Sequence, residues 1–320
     1  MTEKNATVQL NGRTALVTGG TDGIGKEIAL RLAQHGARLI IVGRDTEKGV
    51  RAKQAIRSSS RNSDVEFVQA DLSLMREAVC LADVVSRRWS ELDYLVQSAG
   101  VVRGRRVTTL EGLESNFSTN YLSRFALTTS LLPTLKAAWK PGKAARILLV
   151  SHPGFRGTIH YDDVNLTKNF STIRAFRQFH FANDLFAVEL ARRLTAQNEQ
   201  PKVEISVLHP GPTKNTGIIA EMPPWMRLML QSIVIPMAAH TPDVPAQAAL
   251  RLLLDEEFQG ESAPFFSLVG KFKRVSKSPE VLNPEAGKRL WDFSEGQLKA
   301  ARALKGPVFT AANGVLTAAE

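Results

Sequence analysis

The eight residues Thr18-Gly19-Gly20-Thr21-Asp22-Gly23-Ile24-Gly25 constrain this chain more than any other stretch, because glycine clusters there between two runs of opposite periodicity. Before them, Arg13-Thr14-Ala15-Leu16-Val17-Thr18 is a short β-prone run. After them, Lys26 to Gly36 carries apolar residues at helical spacing through Ile28 and Leu32 and stops at Gly36. Strand, tight glycine turn and helix in that order set backbone N–H groups at a helix N-terminus where a pyrophosphate can approach, and small residues leave room for it. A nearly all-apolar run, Arg38-Leu39-Ile40-Ile41-Val42, follows, as a parallel strand covered on both faces requires.

The β-α-β rhythm continues. A helix is expected around Thr46 to Ser58, and strands at Val65 to Gln69, Asp93 to Val96, Arg146 to Val150, Val203 to Leu208 and Pro264 to Val269, with helical patterns between them. Alternation at this spacing implies an α/β fold: a doubly wound parallel sheet of about seven strands, helices on both faces and a ligand crevice at the carboxyl ends of the strands. No internal repeat, low-complexity tract or long linker divides the chain. We therefore expect an N-terminal tail over 1–12, one main domain over 13–270 with an apolar helical lid over 214–242, and a C-terminal helical extension over 271–320.

Composition narrows the partners. The single cysteine, Cys80, can form no internal disulfide and fits no multi-cysteine metal site, so no metal is expected and a cytoplasmic location is. The most apolar run, Trp225 to Ala239, is interrupted by Gln231, Ser232 and Pro236 and falls short of the ~20 residues that a membrane-spanning helix needs. A formal charge of +10 favours anionic partners. The basic clusters at Arg103 to Arg106 and Lys271 to Arg274 carry no nucleic-acid-binding signature, so no nucleic-acid partner is expected. At the end of the second strand, Val42-Gly43-Arg44 places an Arg where a carboxylate would select an unmodified ribose. Arg44 matches a 2′-phosphate instead and points to NADP.

With these motifs in place, the chain from Arg13 to Gly270 resembles the short-chain dehydrogenase/reductase family, and more closely its retinol-dehydrogenase-like members. The resemblance implies a Rossmann-type fold. It implies cofactor contacts from the loop residues Gly19, Thr21, Asp22, Gly23, Ile24 and Gly25, and from Asp71-Leu72, which in the family holds the adenine. The family's Asn-Asn-Ala-Gly after the fourth strand stands here as Gln97-Ser98-Ala99-Gly100, a departure in its first two positions. Asn120 matches the helix asparagine that supports a water relay, and Pro210, Gly211 and Thr213 match the nicotinamide and phosphate contacts after the sixth strand.

The family's catalytic constellation is missing. In the family a Tyr four residues before a Lys handles the proton at the substrate oxygen, and a Ser hydrogen-bonds the same oxygen. Only Tyr94, Tyr121 and Tyr161 exist here, and four residues after them stand Ser98, Phe125 and Asn165. Counting back from Ala182 to Leu194, which resembles the active-site helix, puts Phe176 at the Tyr position and His180 at the Lys position. In strict register His152 takes the place of the Ser; a one-residue gap gives that place to Ser151, and both alignments stand. Losing a positioned general acid lowers a rate by about 10²–10⁴. Histidine, with an ordinary pKa near ~6.5, can donate and accept at neutral pH. His152 and His180 are the replacement candidates, against the alternative that His180 only bonds a ribose or backbone group. His160, His209 and a loop-borne Tyr161 have weaker claims.

After Pro210-Gly211 the segment Thr216 to Thr241 is rich in Met, Leu and Ile and reads as a lid over a hydrophobic small molecule, or else as a dimer surface or a shallow membrane contact. Leu290, Trp291, Phe293 and Leu298 read as a docked amphipathic helix. Monomer and homodimer both remain open. Three functions compete: an atypical NADP-dependent carbonyl reductase or alcohol dehydrogenase of a biosynthetic pathway, with histidines in place of the phenol; a redox-silent isomerase, epimerase or cyclase keeping NADP as a wall; and a catalytically dead NADP-binding module.

Overall fold

The chain was analysed as a computed structural model, which describes residues 8–196, 202–214, 222, 224–229, 232, 240–261 and 263–304. Among the described residues, eight strands, β1 (Thr14–Thr18), β2 (Arg38–Gly43), β3 (Val65–Gln69), β4 (Tyr94–Gln97), β5 (Ala145–Val150), β6 (Val203–His209), β7 (Phe265–Ser267) and β8 (Lys273–Arg274), form one sheet. Their order is β3-β2-β1-β4-β5-β6-β7-β8, parallel throughout except for antiparallel β8. β1 pairs with β2 on one side and β4 on the other. The chain therefore winds outward in one direction to β3, returns to β4 and winds the other way, and the loops leaving β1 and β4 diverge at that reversal.

Alternation along each strand sends side chains to two cores. Leu16, Ile40, Val42 and Leu95 face one side of the sheet, where α3 (Met75–Arg88), α5 (Ser123–Ala137) and α6 (Thr172–Thr195) pack. Ala15, Val17, Leu39 and Ile41 face the other, against α1 (Gly23–Gln34) and α8 (Asp243–Leu254). α2 (Thr46–Ser60) joins that second layer beside α1. A three-residue helix, α4 (Ser115–Phe117), runs into a π-helical turn at Ser118–Leu122 and then into α5. A short helix α7 spans Pro224–Met229, and α9 (Pro279–Leu282) leads into α10 (Pro284–Ala303).

These observations sharpen four expectations. The eight strands agree with the expected count of about seven, and the one not anticipated, β8, is two exposed charged residues with no hydrophobic pattern to reveal it. α1 begins at Gly23 rather than Lys26: the Asp22 carboxylate accepts from the Gly23 N–H at 2.9 Å and starts the helix inside the glycine loop. The boundary at 12 leaves out Leu10, which is buried and donates its N–H to His35 O at 2.7 Å. The boundary at 270 falls between two paired strands of the same sheet, and α10 packs on α6 and α3 as part of the larger core. Most of the expected lid, like residues 1–7 and the end from 305, lies outside the described residues. Of it, α7 carries exposed Leu228 and Met229.

α10 buries Leu290, Trp291 and Leu298, and the Trp291 ring lies edge-on to Phe125 with centroids 5.1 Å apart and under the Arg193 guanidinium at 4.2 Å. Trp291→Ala removes the largest of these side chains and should lower unfolding free energy by about 3–5 kcal/mol. A urea titration showing less than about 1 kcal/mol would mean that α10 is not integral to the core.

Candidate active site

Apart from the weaker candidates His160 and Tyr161, the residues singled out above for cofactor binding or catalysis line one cleft of about 840 Å³ at the carboxyl ends of β1, β2, β4, β5 and β6. The glycine loop forms its floor. Gly19 has φ +68°, and a β-carbon there would come within 2.8 Å of the Ala99 backbone N; one on Gly25 would collide with the Gly19 carbonyl. Only glycine allows the β1 and β4 loops to come this close. Arg44 lines the outer end, with Lys48 beside it, whose Nζ pairs with Asp22 at 2.6 Å. Asp71 and Leu72 line the same end, and Pro210, Gly211 and Thr213 the far wall.

At the inner end β5 delivers Ser151 and His152, and α6 delivers Phe176, His180 and Asn183 on one face. The His152 backbone N–H donates to His180 Nδ1 at 3.1 Å, and Ser151 Oγ lies 3.0 Å from the same nitrogen. A backbone N–H can only donate, so Nδ1 carries its lone pair. The Ser151 hydroxyl is therefore the donor in its contact, and the neutral ring has its proton on Nε2. His180 is 8% exposed, and burial, with further lowering by His152, Arg124 and His209, holds its pKa well below the ordinary imidazole value.

His152 is enclosed differently. Its ring stacks on His209 at 3.5 Å with planes 7° apart, and meets Phe155 edge-on at 4.4 Å. Burial pushes His152 down to about 4 and His209 to about 3. His209 Nδ1 also meets Ser267 Oγ at 3.2 Å. The three imidazoles form no metal centre: among the described residues no group of three or more His, Cys, Asp or Glu could hold an ion. Phe176 stands 4.2 Å from His180, ring to ring, with no proton to give.

None of the three tyrosines lines the cleft. Tyr94 starts β4 at the opposite end of the sheet, Tyr121 is buried with its hydroxyl 2.6 Å from Ser294 Oγ, and Tyr161 lies against Phe293 and under Arg289. His160 is also outside the cleft, its backbone N–H donating to Gln178 Oε1. Asn120 sits in the π-helical turn and clips the loop after β4: its Nδ2 donates to Val101 O at 2.7 Å and its Oδ1 accepts from Val101 N at 3.1 Å. Its own carbonyl accepts from Asn183 Nδ2 at 2.9 Å. Gln97, at the first departure from the family pattern, is buried away from the cleft and donates to Thr128 Oγ1 at 2.6 Å.

Residues 13–161 match the profile of the family described as short chain dehydrogenase. Human (Homo sapiens) retinol dehydrogenase 13 is 32% identical over 88% of this chain and 82% of its own length. The chain belongs to the short-chain dehydrogenase/reductase family. Human polyprenol dehydrogenase is 31% identical over 88% of this chain and 84% of its own. Among solved structures, the Pseudomonas aeruginosa RhlG/NADP active-site complex superposes with a TM-score of 0.64 at 26% identity, covering 82% of this chain and 97% of that one. Membership makes this an oxidoreductase-family chain on a Rossmann-type sheet, in which the three phenols stand elsewhere.

Sequence reasoning missed Arg124, Asn183 and Lys48, which also line the cleft. Helical spacing could have found two of them, since Arg124 is one turn beyond Asn120 and Asn183 nearly one turn beyond His180.

The buried imidazoles make stability depend on pH. Unfolded, His152 and His209 titrate near about 6.5; folded, their values are depressed, so the unfolded chain takes up protons that the folded chain refuses. Stability is complete above about pH 6.5 and is lost as pH falls toward the folded values. Allowing for screening, the pair should account for a loss of about 1–3 kcal/mol between pH 7 and pH 5. Urea midpoints should fall over that interval, and fall less in a His152→Asn/His209→Asn double variant; parallel curves for the two proteins would show that these rings do not stay neutral.

Proposed function

We propose that the protein is an NADP(H)-dependent oxidoreductase that interconverts an alcohol and a carbonyl on a hydrophobic small molecule, with Ser151 and His180 moving the proton. The observation that carries this reading is the hydrogen bond from the Ser151 hydroxyl to the unprotonated Nδ1 of His180, inside the cleft that the glycine loop floors. The residues present fit the cofactor: the loop leaves a cradle that a β-carbon at Gly19 or Gly25 would fill, and Arg44 with Lys48 supplies positive charge where a 2′-phosphate would lie. NADP-bound RhlG, at similar fold, supports the same choice. Relatives named for retinol and polyprenol support a greasy substrate, as do Val102, Phe176, Phe179, Met222 and Val269 on the cleft walls.

When bound, NADP(H) accepts or supplies the hydride. In the oxidative direction Ser151 Oγ takes the proton of the substrate hydroxyl while its own proton passes to His180 Nδ1. In the reductive direction the same two protons move back and the carbonyl oxygen is protonated. Neutral His180 is ready to accept at neutral pH, and its depressed pKa makes its proton easy to return. Oxidation should therefore be insensitive to pH around neutrality and fall only in acid, as His180 becomes protonated.

With NADP⁺ and a panel of long-chain and isoprenoid alcohols, mass spectrometry should show a product lighter by two hydrogens. A product of unchanged mass would replace this reading with the redox-silent isomerase or cyclase. His180→Ala should lower kcat about 10²–10⁴-fold with NADP affinity little altered; a kcat equal to wild type would remove the proton relay.

The cofactor choice has its own test. Arg44→Asp should weaken NADP binding at least about tenfold more than NAD binding, measured by calorimetry. Equal weakening of the two would remove the assigned phosphate contact.

A further inference from the structure

Arg124 is a charge without a counter-ion in the wall of the cleft. It lies on α5, is 5% exposed, and still borders the cleft beside Asn120, His180 and Asn183. Its Nη2 donates to Ala99 O at 2.9 Å, while Nε and Nη1 have no hydrogen-bond partner. Among the described residues no carboxylate pairs with it, and burial alone draws its pKa down to about 10, which leaves it cationic at neutral pH. Asn183 Oδ1, an acceptor on the same wall, is likewise without a partner.

An unpaired guanidinium in a low-dielectric interior is costly, and an apolar side chain of the same length would fill the space without that penalty. What the position supplies is therefore charge, delivered from behind the Ala99 backbone to the inner end of the cleft. The two nitrogens are sealed from solvent, so the charge acts through space rather than by gripping a ligand.

We propose that Arg124 is a positioning residue that sets the oxidation-state preference for the bound nicotinamide cofactor, favouring the neutral reduced ring over the cationic oxidised one. The inference rests on the NADP(H) reading above, with Arg44 at the adenosine end and Ser151 and His180 at the nicotinamide end. The two cofactor forms share adenosine, ribose and phosphates and differ by one positive charge on the ring. Contacts elsewhere in the cleft therefore cancel in the ratio of their affinities, whereas repulsion from a fixed cation does not.

Dissociation constants for NADP⁺ and NADPH, measured by calorimetry on the full chain, test this. Wild type should bind NADPH about tenfold or more tightly than NADP⁺. Arg124→Gln and Arg124→Met should bring the ratio of the two constants toward one, and Arg124→Lys should keep most of the wild-type ratio. General damage to the site would weaken both forms alike and leave the ratio unmoved, which would overturn the proposal. Equal affinities in the wild-type chain would overturn it without any variant. If wild type binds neither form, the function reading itself falls, an outcome distinct from a bound cofactor with no preference.

Discussion

The fold turns on the contact between the first turn after β1 and the first residues after β4. These strands are neighbours, and the chain reverses its winding direction between them, so their loops must part to open a crevice while their backbones almost touch at its base. Gly19 against Ala99 and Gly25 against Gly19 meet that demand by having no side chain, and α1 starts within the same eight residues, capped by Asp22. A side chain in either place would push β1 from β4, and the apolar alternation that builds the two cores would lose its register before the site could form.

That contact also explains why so much of the fold was legible in the sequence. β2 and β5 are parallel strands written as apolar runs, β3 and β6 carry polar residues among their apolar ones, and all four appear within a residue or so of where the pattern puts them. β8 was invisible because an exposed antiparallel edge needs no apolar face. The cofactor candidates were legible because close backbone approach leaves glycine as its trace. Arg124 and Asn183 were legible only through their helical spacing from Asn120 and His180, because a buried polar side chain on a helix interrupts the apolar pattern in the same way as an exposed one. The departure Gln97 was legible as a departure, but its consequence, a side chain turned toward Thr128 in the interior, depended on which face of β4 is covered.

The inner end of the cleft reaches neutrality by a different route from a phenol and an ammonium. Ser151, His152, His180 and His209 are all uncharged at neutral pH, His152 held so by burial, and His180 and His209 by burial and then by their neighbours. Phe176 closes one side against His180 and adds no polarity. A fixed positive charge stands nearby on Arg124, one layer back behind Ala99. A phenol lowered by an adjacent lysine must lie in contact with substrate to act. A serine relaying to a buried imidazole can keep its base out of reach of solvent and leave the substrate wall apolar.

This arrangement depends on a part of the chain far from the glycine loop. Tyr121 lies in the π-helical turn next to Asn120, and its hydroxyl meets Ser294 of α10, whose Oγ in turn donates to Leu290 O at 2.8 Å. The extra residue of the π turn rotates Asn120 toward Val101 and Tyr121 toward α10 at once. α10 also lies along α6, the helix that carries His180, with Trp291 reaching Phe125 and Phe186. Tyr121 thus fixes the C-terminal helix to the element holding the cleft loop. Both walls of the inner end of the cleft, Asn120 with its clip and α6 with its imidazole, are then braced by one helix beyond residue 270, and the chain could not shed that extension and keep the geometry of Ser151 and His180.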